Sequence, residues 1–406
     1  MKKLNLPIVL FLILIKIIAC KNVIKEPITT ELYTINAENT EKVINLKLTD
    51  IADSFKLVSL ETSEECLLDD RSEFYIGKDY ILAYDKNGVF KFSAEGKFIK
   101  KLIGTGRGPN EYSNPLMCLF IVDEKKDLLY INDYDHKGFY QLYDLKAEQF
   151  LQPVKQCFPA YGFFNLENDS LIISSNLLNS SDYAIFRQNL NGKFVSGITN
   201  TKKYISNQQE SFQNGRLMKA DSIFYCYFTY DDTLFRIKKN ELIPFLALHF
   251  AVPRDNPTKG ISKNGDRFIL YQSGMPGFII ICILTIEDIN LYKLGRGGEK
   301  YYYLFFNNYT GETSKINSYT DNFIGDIKNS LTLNQVDPSS PFFIKLPQRE
   351  KMVVAYSKNQ IQDAIEKGLN YEDFDDRINQ QLIKVNENLQ ETDNPILLIG
   401  MLKDKL

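Results

Sequence analysis

The feature that most constrains this chain is a repeat. The stretch "DYILAYDKNGVFKFSAEGKFIKKLI" reads as short strands parted by polar turns, with Asn87-Gly88 as one hairpin turn and Glu95-Gly96 as a second. "DLLYINDYDHKGFYQLYDLKAEQFL" follows in the same order: apolar strand, Asp-containing turn, glycine, aromatic strand, polar turn, Phe. A third copy, "DSLIISSNLLNSSDYAIFRQNLNGKFVSG", places Gly192-Lys193-Phe194-Val195 two periods after Gly96-Lys97-Phe98-Ile99. A fourth, "DSIFYCYFTYDDTLFRIKKNELIPF", echoes Asp169-Ser170 with Asp221-Ser222. A unit of about 40 to 50 residues built of short strands cannot bury its own faces, so copies stack as propeller blades of four antiparallel strands.

Beyond Phe250 the repeat weakens while the β texture persists. "DRFILYQSGMPGFIIICILTI" with "KYYYLFFNNYTGETSKI" makes a fifth unit, and "FFIKLPQREKMVVAYS" falls in a sixth. The expectation is an all-β fold over 41–406: a six-bladed β-propeller of four-stranded antiparallel blades. Helical spacing appears only in a short C-terminal insertion at about 357–390. Ser357 caps a helix through Ile361, Ala364 and Ile365, and Phe374, Ile378, Leu382, Val385 and Leu389 recur in the next. "NPILLIGML" then returns to a strand. An unclosed ring leaves open edges that invite aggregation, so a strand from "KVINLKL" or "SFKLVSLE" is expected to share a blade with C-terminal strands.

The chain opens with Lys2 and Lys3 before an apolar run that is too short to span a bilayer, which reads as a secretory signal over 1–20. Its end, Ile17-Ile18-Ala19-Cys20, resembles the bacterial lipobox, which implies that Cys20 is lipidated and becomes the mature N-terminus. Two or more acyl chains give stable anchoring. Residues 21–40 are polar and read as a flexible tether. Surface-displayed lipoproteins of the Bacteroidetes often carry acids just after the lipidated cysteine. Here Lys21, Asn22, Val23 and Ile24 follow, which by that resemblance implies the periplasmic face of the outer membrane.

The net charge of −3, with no basic run longer than Lys202-Lys203 or Lys238-Lys239, argues against a nucleic-acid partner. Of the cysteines, Cys118, Cys226 and Cys282 sit in apolar runs and read as buried thiols, while Cys66 and Cys157 lie in loop-like contexts and are the one pair worth testing for a bridge.

The loop "GTGRGPNEYSNP" asks whether three glycines after a strand cradle a phosphate. That requires G-x-G-x-x-G or G-x-x-x-x-G-K-[ST] ahead of a helix. Gly104, Gly106 and Gly108 give G-x-G-x-G, Pro109 removes a donor, and "PLMCLFIV" continues as a strand. The loop therefore reads as a crossing between blades, with glycines supplying positive φ.

Only His136 and His249 are present, which excludes a His-rich metal site and leaves a Ser-His-Asp triad those two alone. His249 sits in an apolar strand. Asp133, Asp135 and His136, in "NDYDHKG", can serve a turn, offer oxygens to a cation or touch a ligand. Arg107, Glu111 and Tyr112 are either ligand-contacting groups at a funnel or, as an Arg–Glu pair, a staple between blades. Arg254 and Arg296 are weaker candidates on the same ground, and Asp231-Asp232 reads as a hairpin turn. No cofactor, metal site or catalytic residue is assigned.

"GTGRGPNEYSNPLMCLFIVDEKKDLLYINDYDHKGFYQLYDL" resembles an NHL-type repeat. The lipobox, "VSLET", "GRGPNEY" and "DNPILLIGMLK" together are similar to the six-bladed β-propeller lipoproteins of Bacteroidetes. The resemblance implies a propeller on a lipid anchor and says little about activity. The expected function is a non-catalytic envelope module binding a glycan, peptide or protein partner. The alternative is a propeller hydrolase, lactonase or lyase acting at the central funnel.

Overall fold

A computed structural model describes residues 32–37, 40–69, 72–106, 108, 111–112, 119–133, 138–158, 164–176, 181–201, 216–220, 223–228, 231–250, 267–275, 277–293, 298–320, 351–366, 378, 380–381, 384–385 and 393–403. The chain divides into a unit over 1–32 and a second over 33–406, and every described strand belongs to the second.

Three strands open it: β1 (Tyr33–Asn36), β2 (Val43–Lys47) and, after the short helix α1 (Leu48–Ile51), β3 (Ala52–Ser59). Blade 1 is β4 (Glu73–Ile76), β5 (Tyr80–Asp85), β6 (Gly88–Ser93) and β7 (Phe98–Thr105), with β8 (Glu111–Tyr112) added in parallel to β7. Blade 2 is β9 (Leu119–Asp123), β10 (Leu128–Asn132), β11 (Phe139–Asp144) and β12 (Gln149–Lys155). Blade 3 is β13 (Phe164–Asn168), β14 (Leu171–Ser175), β15 (Tyr183–Asn189) and β16 (Phe194–Thr199). Blade 4 is β17 (Arg216–Ala220), β18 (Ile223–Tyr227), β19 (Thr233–Lys238) and β20 (Glu241–His249). Blade 5 is β21 (Arg267–Met275), β22 (Phe278–Ile286), β23 (Glu299–Asn307) and β24 (Thr313–Thr320), with helix α2 (Ile289–Lys293) between β22 and β23. Blade 6 contains β25 (Lys351–Tyr356), helix α3 (Lys358–Glu366) and β26 (Ile396–Leu402).

Blades 1 to 5 are each built on a four-stranded antiparallel meander, to which β8, β1 and β2 add a parallel strand in blades 1, 4 and 5, and consecutive blades share apolar clusters, so their interiors are the seams between them. One apolar cluster fills each of six junctions among the described residues. This explains the burial patterns: a strand in the middle of its sheet and inside the stack, such as β22 "FIIICILTI", is buried at every position, whereas the outer β7 alternates. Cys226 and Cys282 lie buried in such strands, and burial pushes the Cys282 thiol up to about 12. Near the axis β9 lies beside β13 and β17 beside β21, so the first strands of blades 2 to 5 face the centre of the ring.

The N-terminal residues form a belt around the rim. β1 pairs in parallel with β20 of blade 4, β2 pairs in parallel with β24 of blade 5, and β3 joins blade 6 antiparallel to β26. The tether expected over 21–40 therefore contains a strand of the ring. Of the two closing segments considered, "SFKLVSLE" pairs with "NPILLIGML", and "KVINLKL" serves the neighbouring blade.

β3 is the outermost strand of blade 6. Its last residue, Ser59, meets Gly96 in the β6–β7 turn of blade 1, just as Lys155 at the end of β12 meets Gly192 in the β15–β16 turn of blade 3. With β3 outermost, β25 and β26 are the second and third strands, and α3 lies in the connection between them. "FFIKLP", the rest of the sixth unit, lies outside the described residues. The predicted cap is present as a capping box: the Ser357 N–H donates to Gln360 Oε1 (2.9 Å) and the Gln360 N–H returns to Ser357 Oγ (3.4 Å). Ile361 and Ile378 are buried against blades 5 and 6.

Candidate functional site at the long-connection end of the ring

In an antiparallel meander the turns alternate between the two ends of the sheet. The turns joining first to second and third to fourth strands in blades 1 to 5 are all tight: 77–79 and 94–97, 124–127 and 145–148, 169–170 and 190–193, 221–222 and 239–240, 276–277 and 308–312. At the opposite end β5 and β6 are joined by the two residues 86–87, but the other described strands that meet there are further apart in the chain: β10 and β11, β14 and β15, β18 and β19, β22 and β23, β25 and β26 with α3 between them, and the fourth strand of each of blades 1 to 4 from the first strand of the next. Loops positioned by a rigid scaffold are where binding residues concentrate, so the two ends are not equivalent.

The glycine-rich loop is one of these crossings, and its amides do hold an anion: the carboxylate of Glu111. The Gly108 N–H donates to Glu111 Oε2 (3.0 Å), the Glu111 N–H returns to the Gly108 carbonyl (3.2 Å), and the Gly106 N–H donates to the Tyr112 carbonyl (2.9 Å). A Cβ on Gly106 would overlap Glu111 Oε2, and one on Gly108 would lie 3.0 Å from it. The glycine at 106 is thus required by close approach of a side chain and not, as the sequence suggests, by positive φ; the described glycines with positive φ lie elsewhere.

Tyr112 is fully buried at the seam between blades 1 and 2. Its hydroxyl donates to the Asp85 carbonyl, and its ring meets Phe120 edge-on at 5.3 Å. Asp85 is a hub: one carboxylate oxygen accepts the Asp69 N–H (2.7 Å) and the Ser72 hydroxyl (3.0 Å), and the other accepts the Asn87 N–H (2.7 Å). Tyr112 and Asp85 together tie the crossing to the end of β5.

The repeat extends this device to other blades. Asp85 follows "YILAY", Asp133 follows "LLYIN" and Asn176 follows "LIISS", each at the end of a second strand and each almost wholly buried. Beside Asp133, the Asn132 Oδ1 accepts the Gln156 Nε2–H (2.9 Å), and Asn176 Nδ2 donates to Ser181 Oγ (2.9 Å). The structure brings Glu111, Tyr112 and Asp133 to the same end of the ring, at blades 1 and 2: Glu111 accepts the Gly108 N–H, Tyr112 is packed in the seam, and Asp133 is buried directly after β10. Arg107, Asp135, His136, Arg254, Arg296 and Cys20 lie outside the described residues. His249 is exposed at the end of β20, where its carbonyl accepts the Ala37 N–H (3.0 Å). Asp231 and Asp232 do lie in the β18–β19 turn. Cys66 and Cys157 are both free thiols: Cys66 is buried in the closing seam, and Cys157 is half-buried where its N–H meets Gln188 Oε1.

A second group lies at this end of the ring, beside the seam of blades 1 and 2. Glu73 begins β4, Tyr84 ends β5 opposite it in register, and Phe120 near the start of β9 packs on Tyr84 at 4.5 Å. All three are half-buried. Desolvation, then the charge of Glu73 and a hydrogen bond to it, hold the Tyr84 phenol well above its usual range, so it stays a neutral donor at neutral pH. One aromatic face, one phenol and one carboxylate form a surface suited to sugar faces and hydroxyls or to peptide side chains. Sequence reasoning passed over these residues because "SEFYIG" reads only as a strand. Further round the ring, Arg187 of β15 grips Glu167 of β13 through two hydrogen bonds of 2.7 and 2.9 Å, a pair that no sequence spacing signalled.

Six sheets stacked about one axis, most of them four-stranded meanders, with an N-terminal strand closing the last, define a six-bladed β-propeller. The chain belongs to the family described as "Domain of unknown function (DUF4934)", which matches residues 32–400. It is similar in fold to a crystal structure described as a "Putative exported protein" from Bacteroides fragilis, with a TM-score of 0.60 and 16% identity over 89% of this chain and 99% of that one. The extracellular domain of the "putative one component system" BT4673 from B. thetaiotaomicron aligns over 65% of this chain and 29% of that one, at 14% identity and a TM-score of 0.37. BamB from Moraxella catarrhalis aligns over 64% of this chain and 78% of that one, at 12% identity and a TM-score of 0.33. No curated protein matches.

Proposed function

We propose that the chain is an exported binding module, lipid-anchored through Cys20 to the periplasmic face of the outer membrane, that holds a glycan, peptide or protein partner at the long-connection end of its ring. The observation that carries this reading is the half-buried Glu73–Tyr84–Phe120 group at that end of the ring. The described carboxylates nearest it, Asp85 and Glu111, are occupied with backbone amides, which favours binding over acid–base chemistry. Export agrees with the description of the B. fragilis neighbour.

The test is a glycan and envelope-peptide array probed with the wild type, Glu73→Gln and Phe120→Ala. Loss of an aromatic stacking partner is expected to weaken binding about tenfold or more. Hits that survive both substitutions in folded protein would place the ligand elsewhere. For the anchor, Cys20→Ala produced in a lipoprotein-processing bacterium is expected to lose acyl label and move to the soluble fraction. Retained label would remove Cys20 from that role.

A further inference from the structure

The rim of blade 4 holds a bound strand whose anchors resemble those of a ligand. β1 contributes four residues, and each pairs in parallel with β20: Tyr33 opposite Leu246, Thr34 opposite Ala247, Ile35 opposite Leu248, Asn36 opposite His249. Two side chains point inward. The Tyr33 ring enters a notch between blades 4 and 5, edge-on to Phe245 at 5.6 Å and to Phe306 at 5.0 Å. The notch is floored by Gly311, where a Cβ would overlap the Tyr33 ring. Ile35 is 5% exposed and joins the same cluster as Phe245, Leu246 and Phe306.

At two other seams, between blades 6 and 1 and between blades 2 and 3, the corresponding turn glycines, Gly96 and Gly192, rest directly on the carbonyl of the preceding outer strand. At the seam between blades 4 and 5 the turn glycine meets an inserted aromatic ring instead. The groove therefore combines the outer edge of β20, which β1 pairs, an aromatic pocket and an apolar pocket two residues further on. These are the elements of recognition by strand addition, in which main-chain bonds give affinity and alternate side chains give specificity.

We propose that the outer edge of blade 4 is a strand-binding groove selective for an extended segment carrying an aromatic and a β-branched residue two apart. Residues 33–36 are its resident, displaceable occupant. The groove is separate from the Glu73–Tyr84–Phe120 group, and blades 4 and 5 complete their own four-stranded sheets without it. A partner with a Tyr-x-Ile strand would compete against a local concentration set by the short segment joining β1 to β2, so the resident strand sets the affinity a competitor must exceed.

The experiment uses the full chain and a fluorescent peptide of residues 30–39, "TELYTINAEN". The double variant Tyr33→Ser, Ile35→Ser empties the groove. The peptide is expected to bind this variant at least about tenfold more tightly than the wild type, and a peptide with both anchors changed to serine is expected to bind neither. Equal binding to the variant and the wild type, or none to a variant folded by circular dichroism, overturns the proposal. If the variant does not fold, a protease site inserted after Ala37 in the wild type supplies the same answer: after cleavage the labelled peptide should replace the N-terminal fragment. A fragment that never exchanges overturns the proposal.

Discussion

Replacing Asn394 by alanine is expected to cost about 3–9 kcal/mol of unfolding free energy, since three backbone groups would lose their partner at about 1–3 kcal/mol each. Asn394 is 4% exposed and stands just before β26. Its Oδ1 accepts the Leu68 N–H (2.8 Å), and its Nδ2 donates to the carbonyls of Glu61 (2.8 Å) and Cys66 (2.8 Å). Its own N–H donates to Thr62 Oγ1 (2.8 Å), a bond alanine keeps. The amide thus binds the C-terminal blade to the segment leading from β3 into blade 1, at the seam where the ring closes. Asn394→Asp should be comparably harmful, because a carboxylate presents oxygen to two carbonyls that need a donor. Guanidinium unfolding followed by far-UV circular dichroism checks this. A loss below about 1 kcal/mol would show that solvent satisfies those groups and that the staple is not what holds the ring shut.

This seam shows why the fold was legible in the sequence and the closure only in outline. The strands announced themselves through periodicity: "DYILAYD", "DLLYIND" and "DSLIISSN" alternate and turn in step, and β5, β10 and β14 occupy equivalent places. Closure depends on pairing between distant segments, which periodicity does not encode. "VSLET" and "DNPILL" stood out as separate motifs at opposite ends of the chain. The structure makes them one unit, with Val58 opposite Leu397 in register and Asn394 bonded to Glu61 and Thr62. β1 escaped notice because four residues in a polar stretch carry no pattern, and its stability comes from a notch made by blades 4 and 5.

The site was legible as a place more than as a set of residues. Reasoning from the loop "GTGRGPNEY" led to the end of the ring where the proposed surface lies, because a crossing between blades must lie where a fourth strand ends and a first begins. It could not tell an exposed tyrosine from a buried one. Tyr112 and Tyr84 are each followed or preceded by polar residues, and both pack at the seam of blades 1 and 2 with Phe120 of the neighbouring blade against both rings, yet Tyr112 is fully buried and Tyr84 half-buried. Likewise the acids in "NDYDHKG" left a turn, a cation and a ligand contact all open, and the equivalence of Asp133 with Asp85 shows only once Asp85 is seen at the end of β5 and Asp133 directly after β10, each almost wholly buried.

The turn glycines provide the sharpest test of how blades are held together. Gly192 has φ +77° in the turn between β15 and β16, and a Cβ there would overlap the Lys155 carbonyl of blade 2. Gly138 has φ +85° in the β10–β11 connection, with nothing within 4 Å of the same ideal position. Alanine at either site bears the conformational cost of a left-handed residue, about 1–2 kcal/mol. Only at 192 must it also push a neighbouring backbone, which adds about 1–3 kcal/mol of overpacking. Gly192→Ala is therefore expected to lose about 2–5 kcal/mol, and Gly138→Ala about 1–2. Gly96→Ala should behave like Gly192→Ala, because it meets the Ser59 carbonyl at the closing seam. Denaturant unfolding of the three variants separates the terms: similar losses for all three would mean that φ alone selects these glycines, whereas a larger loss at 96 and 192 would identify the repeated Gly-Lys-Phe as the point where each blade seats on the last.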